Sequence, residues 1–443
     1  MLKFISNNKL VAIIIHIVIG YLATFSFFPI PFGITILLVG FIIILVSGNK
    51  NEEALMISGY LVGVEVFLRM IKGVISYETG KYGVVLFLII GMLVSPVKQK
   101  MNINYVIYLL LLLLGIVFTL VPEGESIRTA ITFNLSGPFM LGVSAFYMYK
   151  RPISYSELNE LIFIILLPIF SMITYIYFRT PDLREVVFGI SSNFSTSGDF
   201  GPNQVATIVG FGMFALGFFL YQRTKITGFL ILDGILLAYF TFRGLLTFSR
   251  GGIVTAVVAF FLLSLFLIVY KKGSFSSVFK YLIVSSFFIV GVWLYTADIT
   301  GGMLENRYMA KDASGKEKKI LTGRFDLFSS QIESFKDAPI FGIGVGNGKF
   351  KREKEGEGLV GASHSEVSRL IEEHGLIGVI ILIILIAIPL AHFFNSNNFQ
   401  RGFILSFFLF WFLTINHSAM RIAFPGFLYA MGLIIITDDG NKQ

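Results

Sequence analysis

His364 is the residue in this chain best placed to move a proton. It lies in Ser363-His364-Ser365-Glu366, which reads as a capping box with Ser363 as the helix cap and Glu366 at the third helical position. That register puts His364 in the first helical turn, where the positive end of the helix dipole disfavours an imidazolium and helps keep the ring neutral. A neutral imidazole can take a proton from a hydroxyl. The partner chemistry is carried by arginine. Arg243 and Arg250 belong to RGLLTFSRGG (243–252), Arg324 follows Thr322-Gly323, and Arg369 comes five residues after His364. Arg128, Arg179, Arg184 and Arg421 fall at the ends of apolar runs or in the polar stretches between them. The guanidinium fork binds phosphate bidentately, so the set reads as an anion-binding surface beside one base. For any one of these arginines, anchoring a helix end at the lipid headgroups is the competing explanation.

Other chemistries find less support. The chain has no cysteine, so thiolate metal sites and disulfides are excluded. No Asp-x-Asp occurs, and His364 and His374, ten apart and able to face similarly on one helix, lack a third ligand for zinc. No metal and no cofactor are expected, so a leaving group would be stabilised by Arg or Lys. The stretch Gly342-Ile-Gly-Val-Gly-Asn-Gly-Lys349 is glycine-dense, but its spacing is not that of a phosphate-binding loop, and Phe350 stands where Ser or Thr would be. It reads as a tight turn between two loop helices. If Arg243 and Arg250 lie on one continuous helix, they share a face about two turns apart, and Gly251-Gly252 then permits a sharp re-entry into the next apolar run.

These residues must be positioned by an apolar scaffold. The chain of 443 residues is 55% hydrophobic, only 14% charged, and has a mean hydropathy of +0.80. That composition belongs to an all-α polytopic membrane protein. Runs of the length needed to cross the hydrocarbon give about fourteen transmembrane helices. They fall near 10–28, 31–47, 54–74, 82–96, 103–121, 130–149, 158–178, 203–221, 226–242, 251–270, 279–297, 375–393, 401–416 and 421–437. The first run is long enough to span and no clear cleavage site follows it. Net charge is +8, but its placement matters more. With the N-terminus inside, the inner loops carry mostly Lys (Lys3, Lys9, Lys50, Lys98, Lys100, Lys150, Lys225, Lys271, Lys272, Lys280, Lys442), whereas the outer ends carry mostly Arg. Both termini are therefore expected in the cytoplasm. The expected domains are an N-terminal membrane bundle (1–297), an extracytoplasmic catalytic loop (298–374) and C-terminal membrane helices (375–443). Within the loop, a helix opening at Thr322 places Phe325, Phe328, Ile332 and Phe335 on one face and stops before Pro339.

Inside the spans, Glu65 and Arg69 have the spacing of an intrahelical ion pair, and Asp233 can satisfy a neighbouring helix. His16 and His392 read as packing or interface residues, whereas His417 with Arg421 could approach the outer site. The loop 179–203 suits a lid or a sugar-contacting surface, and equally any solvated loop.

Several of these stretches together resemble the O-antigen ligase/polymerase family of bacterial membrane glycosyltransferases. They are Ser249-Arg250-Gly251-Gly252, Thr322-Gly323-Arg324, the turn Pro339-Ile-Phe-Gly-Ile-Gly-Val-Gly346, and His364-Ser-Glu followed by Glu373-His-Gly-Leu-Ile-Gly378. The long loop before the last three spans is similarly placed. Many members have Asn after the loop His, where this chain has Ser365. Glu65–Met70 (EVFLRM), Asn134–Pro138 (NLSGP) and Phe200–Ala206 (FGPNQVA) suggest a subgroup without disclosing roles. The resemblance implies a GT-C-like fold with a large helical periplasmic loop in the bacterial inner membrane. It also implies metal-independent, inverting transfer of a glycan from undecaprenyl pyrophosphate to a sugar hydroxyl on lipid A core or another lipid-linked repeat. His364 would be the base, and Arg250, Arg243 and Arg324 would hold the pyrophosphate, with Arg128, Arg179, Arg184, Arg369 and Arg421 as further candidates for the outer site. The bilayer is a partner and nucleic acid is not. The alternative is a transporter or flippase of lipid-linked oligosaccharide, which would depend instead on Glu65, Arg69 and Asp233 at mid-membrane depth.

Overall fold

The computed structural model describes residues 8–97, 100–270, 288–312, 316, 322–355 and 363–438, without the side chains of 322–326 and 355. Lys3, Lys98, Lys271, Lys272, Lys280, Lys442, the start of the expected span 279–297, and the side chains of Arg324 and Phe325 therefore lie outside what is described. The apolar helices are α1 (Lys9–Leu22), α2 (Pro29–Ser47), α3 (Glu53–Met70), α4 (Thr79–Val94), α5 (Ile103–Leu114), α6 (Ile127–Met148), α7 (Tyr155–Arg179), α8 (Pro202–Tyr221), α9 (Leu230–Leu246), α10 (Arg250–Tyr270) and α11 (Phe288–Ile299). The polar loop contributes α12 (Met303–Tyr308), α13 (Thr322–Asp337) and α14 (Asn347–Glu355). The chain closes with α15 (Glu366–Phe394), α16 (Asn398–Ser418) and α17 (Phe424–Met431).

An apolar helix thus stands at each expected crossing, and among the described residues six, α2, α7, α8, α10, α15 and α16, are both long and apolar enough to span a membrane. The architecture is helical and consistent with a polytopic membrane protein, with six of the fourteen expected crossings met by full-length apolar helices among the described residues. The last expected span, 421–437, is the clearest correction. Its helix α17 has eight residues, about 12 Å of rise, and gives way to a strand, Ile435–Thr437. That strand pairs in parallel with Pro152–Ser154, a small sheet that an all-α reading lacked.

Burial separates core helices from peripheral ones. α7 and α8 are buried along most of their length, and α10 packs between α8 and α16. α2 buries only Pro29, Gly33, Gly40 and Ile44, and turns Ile30, Leu38, Ile42 and Val46 outward. Apolar surface exposed all along such a helix is what a lipid solvent permits and water does not. The connections sort into two ends. Arg151 Nε pairs with Glu52 Oε2 at 2.7 Å, and Lys150 N donates to Leu433 O at one end, while Asn193 N donates to Thr247 O and Arg421 Nη2 to Ser363 O at the other.

The ionisable residues within the spans behave as packing groups. Glu65 accepts from Arg69 at 2.5 Å and from Ala423 N at 2.6 Å. Asp233 accepts from Ile226 N, Thr227 N and Thr227 Oγ1, so it closes the turn before its own helix rather than meeting a neighbour. His16 bonds Ala12 O and Tyr60, and His392 reaches Ile434 O.

Helix α13 has the expected bounds, yet it lies the other way round. Ser330, Gln331 and Ser334 are buried, whereas Phe328 is 48% and Ile332 39% exposed. The inward face is chosen by hydrogen bonding: Gln331 Nε2 donates to the buried Glu372 carboxylate at 3.0 Å.

Candidate functional site

The helix after His364 begins two residues later than the capping-box pattern implies. Ser365, not Ser363, is the cap, its backbone extended at φ −107° and ψ 120°, and its hydroxyl accepts from Ser368 N. His364 therefore precedes the helix and does not lie in its first turn. Nor does it share a helix face with His374. A matched case elsewhere in the chain shows why. Ser154-Tyr155-Ser156-Glu157 has the same Ser-x-Ser-Glu pattern and does form the box, Glu157 reaching back to Ser154 N at 2.9 Å. At 363–366 the corresponding carboxylate is already engaged: Glu366 pairs with Arg369 and accepts from Met420 N at 3.2 Å. A distant competitor overrides a local motif.

His364 is anchored through its backbone. Its carbonyl accepts from Ala419 N at 3.0 Å, and the carbonyl of Ser363 accepts from Arg421 Nη2 at 3.2 Å. Ser365 Oγ donates to Asn416 Oδ1 at 3.1 Å. Ala419, just past α16, sits at φ 52°, a left-handed conformation that costs a non-glycine residue on the order of 1 kcal/mol. The turn after α16 thus grips the segment bearing the imidazole, and it brings Arg421 alongside. Arg421 is itself held from below, since its carbonyl accepts from Arg69 Nη1 at 2.9 Å. Arg69 stacks 3.9 Å over the Tyr77 ring, and Gln204 bridges the two, accepting from Arg69 and donating to the Tyr77 hydroxyl.

Arg250 arrives from another direction. The condition for Arg243 and Arg250 to share a helix face is not met: α9 ends at Leu246, Phe248 turns the chain at φ 56°, and α10 starts at Arg250. The turn is made by Phe248, and the glycines serve close packing instead. A Cβ on Gly251 would lie 2.4 Å from the His417 ring, and one on Gly252 2.3 Å from the Ala206 carbonyl. Ser249 Oγ donates to Asn203 Oδ1 at 2.7 Å, fastening the start of α10 to the start of α8. His417 bonds Leu413 O and reaches toward Thr207, two residues before the Ala419 that holds His364. Arg250 and Arg307 both act on the half-buried Tyr308 phenol: desolvation pushes its pKa up to about 12, and the two guanidiniums pull it back. Arg307, unremarked in the sequence, donates from Nε to Phe248 O at 3.1 Å.

The remaining arginines are dispersed. Arg243 is buried and donates to Thr180 Oγ1 at 2.8 Å. Arg369 is enclosed by Glu366, by Glu373 at 2.5 Å and by the Asn134 carbonyl at 2.9 Å, so its charge is already balanced within the fold. Arg128, Arg179 and Arg184 are exposed near the ends of α6 and α7, and Arg324 is described only as backbone in α13.

The glycine-dense stretch makes the turn expected of it and more. Gly342, Gly344 and Gly346 all have positive φ, and Ile343 N and Gly344 N donate to the Glu372 and Glu373 carbonyls. The turn ends there, because Asn347-Gly348-Lys349 already belongs to α14. Gly375, at φ 60°, then kinks α15 and separates the segment 366–374 from the apolar remainder.

The three stretches whose roles the sequence left open all meet this site. EVFLRM supplies Arg69, FGPNQVA supplies Asn203 and Gln204, and NLSGP supplies the Asn134 carbonyl to Arg369 and Ser136 to Glu78. Their signal was a polar or glycine residue inside an apolar run.

A family model described as O-antigen ligase matches residues 235–383, from within α9 to within α15. No curated protein and no solved structure matches the chain.

Proposed function

We propose that this chain, whose residues 235–383 match the O-antigen ligase family model, is a membrane glycosyltransferase moving a glycan from undecaprenyl pyrophosphate to a sugar hydroxyl. The acceptor is lipid A core or another lipid-linked repeat. The observation that supports this reading is the packing around the segment of His364: Ala419 and Arg421 bond its backbone, and Gly251, next to Arg250, lies against His417 two residues before Ala419.

In the reaction, the acceptor hydroxyl oxygen attacks the anomeric carbon while the bond from that carbon to the pyrophosphate oxygen breaks. The proton goes to the His364 imidazole, and the leaving group departs as undecaprenyl pyrophosphate, so the anomeric configuration inverts. Arg250 and Arg421 neutralise the developing charge on the pyrophosphate without a metal ion, whereas Arg243 is engaged by Thr180 away from them. The reading sets the loop on the periplasmic face of the inner membrane and both termini in the cytoplasm. A transporter finds less support, because Glu65, Arg69 and Asp233 are each tied to fixed backbone and side-chain partners.

The test is His364→Ala in cells, read by the surface glycan ladder and by the lipid-linked precursor pool. Normally inserted protein, loss of long-chain product and accumulation of precursor are expected. Retained product removes His364 from the mechanism. Supplying purified protein with lipid-linked repeat alone separates the two acceptors, since chain growth then identifies a polymerase.

A further inference from the structure

Beside Ser363 the described residues enclose a cavity of about 330 Å³. One wall is the first turns of α6, where Ser126, Thr129, Ala130, Phe133 and Asn134 face it; the others are the start of α14, and Ser363 with the first turns of α15. Its volume is at the lower end of small-molecule clefts, roughly 300–1,000 Å³, and suits about one or two pyranose rings.

The lining discriminates between ligand classes. Its charged groups are Glu125, Glu372 and Glu373 against Lys349, Arg352 and Arg369, an equal number of each sign. Arg352 pairs with Glu372 at 2.7 Å and Arg369 with Glu373, so the cavity offers little net attraction to a pyrophosphate. What it does offer is a polar surface with two aromatic rings, Phe133 and Phe350, against which the apolar face of a sugar can rest. Arg352 is 2% exposed and held by the Glu372 carboxylate, which fixes this wall in place.

We propose that this cavity is the acceptor subsite, taking the terminal neutral sugar of the acceptor glycan and presenting its hydroxyl to His364. The inference rests on the glycosyl-transfer reading above and assigns the two substrates to different surfaces. The donor diphosphate meets Arg250 and Arg421, and the acceptor sugar meets the wall between α6 and α14. His364 is the next residue in the chain after Ser363, which lines the cavity.

The experiment uses purified full-length protein with a lipid-pyrophosphate-linked repeat whose acceptor hydroxyls are blocked as donor, and offers lipid A core oligosaccharide and a free repeat oligosaccharide lacking the pyrophosphate in turn as acceptors. Thr129→Trp fills the cavity from an exposed position, and Phe350→Ala removes one ring, so a folding failure in either leaves the other to decide. Both are expected to raise the KM for the acceptor about tenfold while leaving the donor KM unchanged. An unchanged acceptor KM in a folded variant, or donor and acceptor KM rising together, overturns the assignment. If wild-type protein transfers glycan and His364→Ala does not, while the cavity variants behave as wild type, the cavity assignment alone falls. If wild-type protein transfers nothing to either acceptor, the glycosyl-transfer reading falls and the subsite with it.

Discussion

Arg250 stands at the first position of α10, where two glycines let the helix start crowd against His417 and the α8 backbone. A lysine there would keep the charge but lose the planar fork that grips two phosphate oxygens at once. Arg250→Lys is therefore expected to lower transfer about 10- to 100-fold with normal expression, measured by donor turnover in purified protein. A near-silent outcome would make Arg250 a headgroup anchor. Arg369 illustrates the opposite case. In the sequence it has the same standing as its neighbours, but Glu366 and Glu373, three residues before it and four after, surround it within its own helix. Its service is to fix the helix start behind His364 rather than to offer charge outward.

Elements position the site through glycine. The short helix 366–374 is joined to the apolar part of α15 at Gly375, whose φ of 60° and ψ of −137° lie where only glycine is comfortable. A Cβ there would come within 2.6 Å of the Pro339 carbonyl and 2.7 Å of Gly342 N. Gly375→Ala is expected to destabilise the fold by about 1–3 kcal/mol and to displace the glycine turn that docks on Glu372 and Glu373. Measured as survival of folded protein after heating in detergent, the variant should fail at lower temperature than wild type. Equal survival would show that the kink is tolerated by a side chain. The glycine density of 339–348 was visible in the sequence, and so was the turn. That the turn packs upon the 372–374 backbone was not, because nothing local says which backbone a bare Cα approaches.

Across the whole molecule, the Lys-rich and Arg-rich ends of the apolar runs predict a sidedness that can be measured directly. The chain has no cysteine, so single cysteines report without a background. Glu123→Cys, exposed just before α6 at the end that carries His364, should react with a membrane-impermeant maleimide in intact spheroplasts; Asn51→Cys, exposed at the other end, should not. The reverse pattern would put the site in the cytoplasm. What the sequence determined by itself is what depends on neighbours within a turn or two: the apolar helix at every expected run, the Glu65–Arg69 pair, the glycine turn, and the span of α13. Tertiary structure decided where the helix after His364 begins, which face of α13 turns inward, and which arginines are enclosed by carboxylates. Those outcomes rest on partners far apart in the chain, as when Arg69 meets the Arg421 carbonyl or Met420 takes the carboxylate of Glu366. Periodicity and capping patterns describe a segment's own options. Which option prevails is set by competing hydrogen-bond partners that only folding brings within reach.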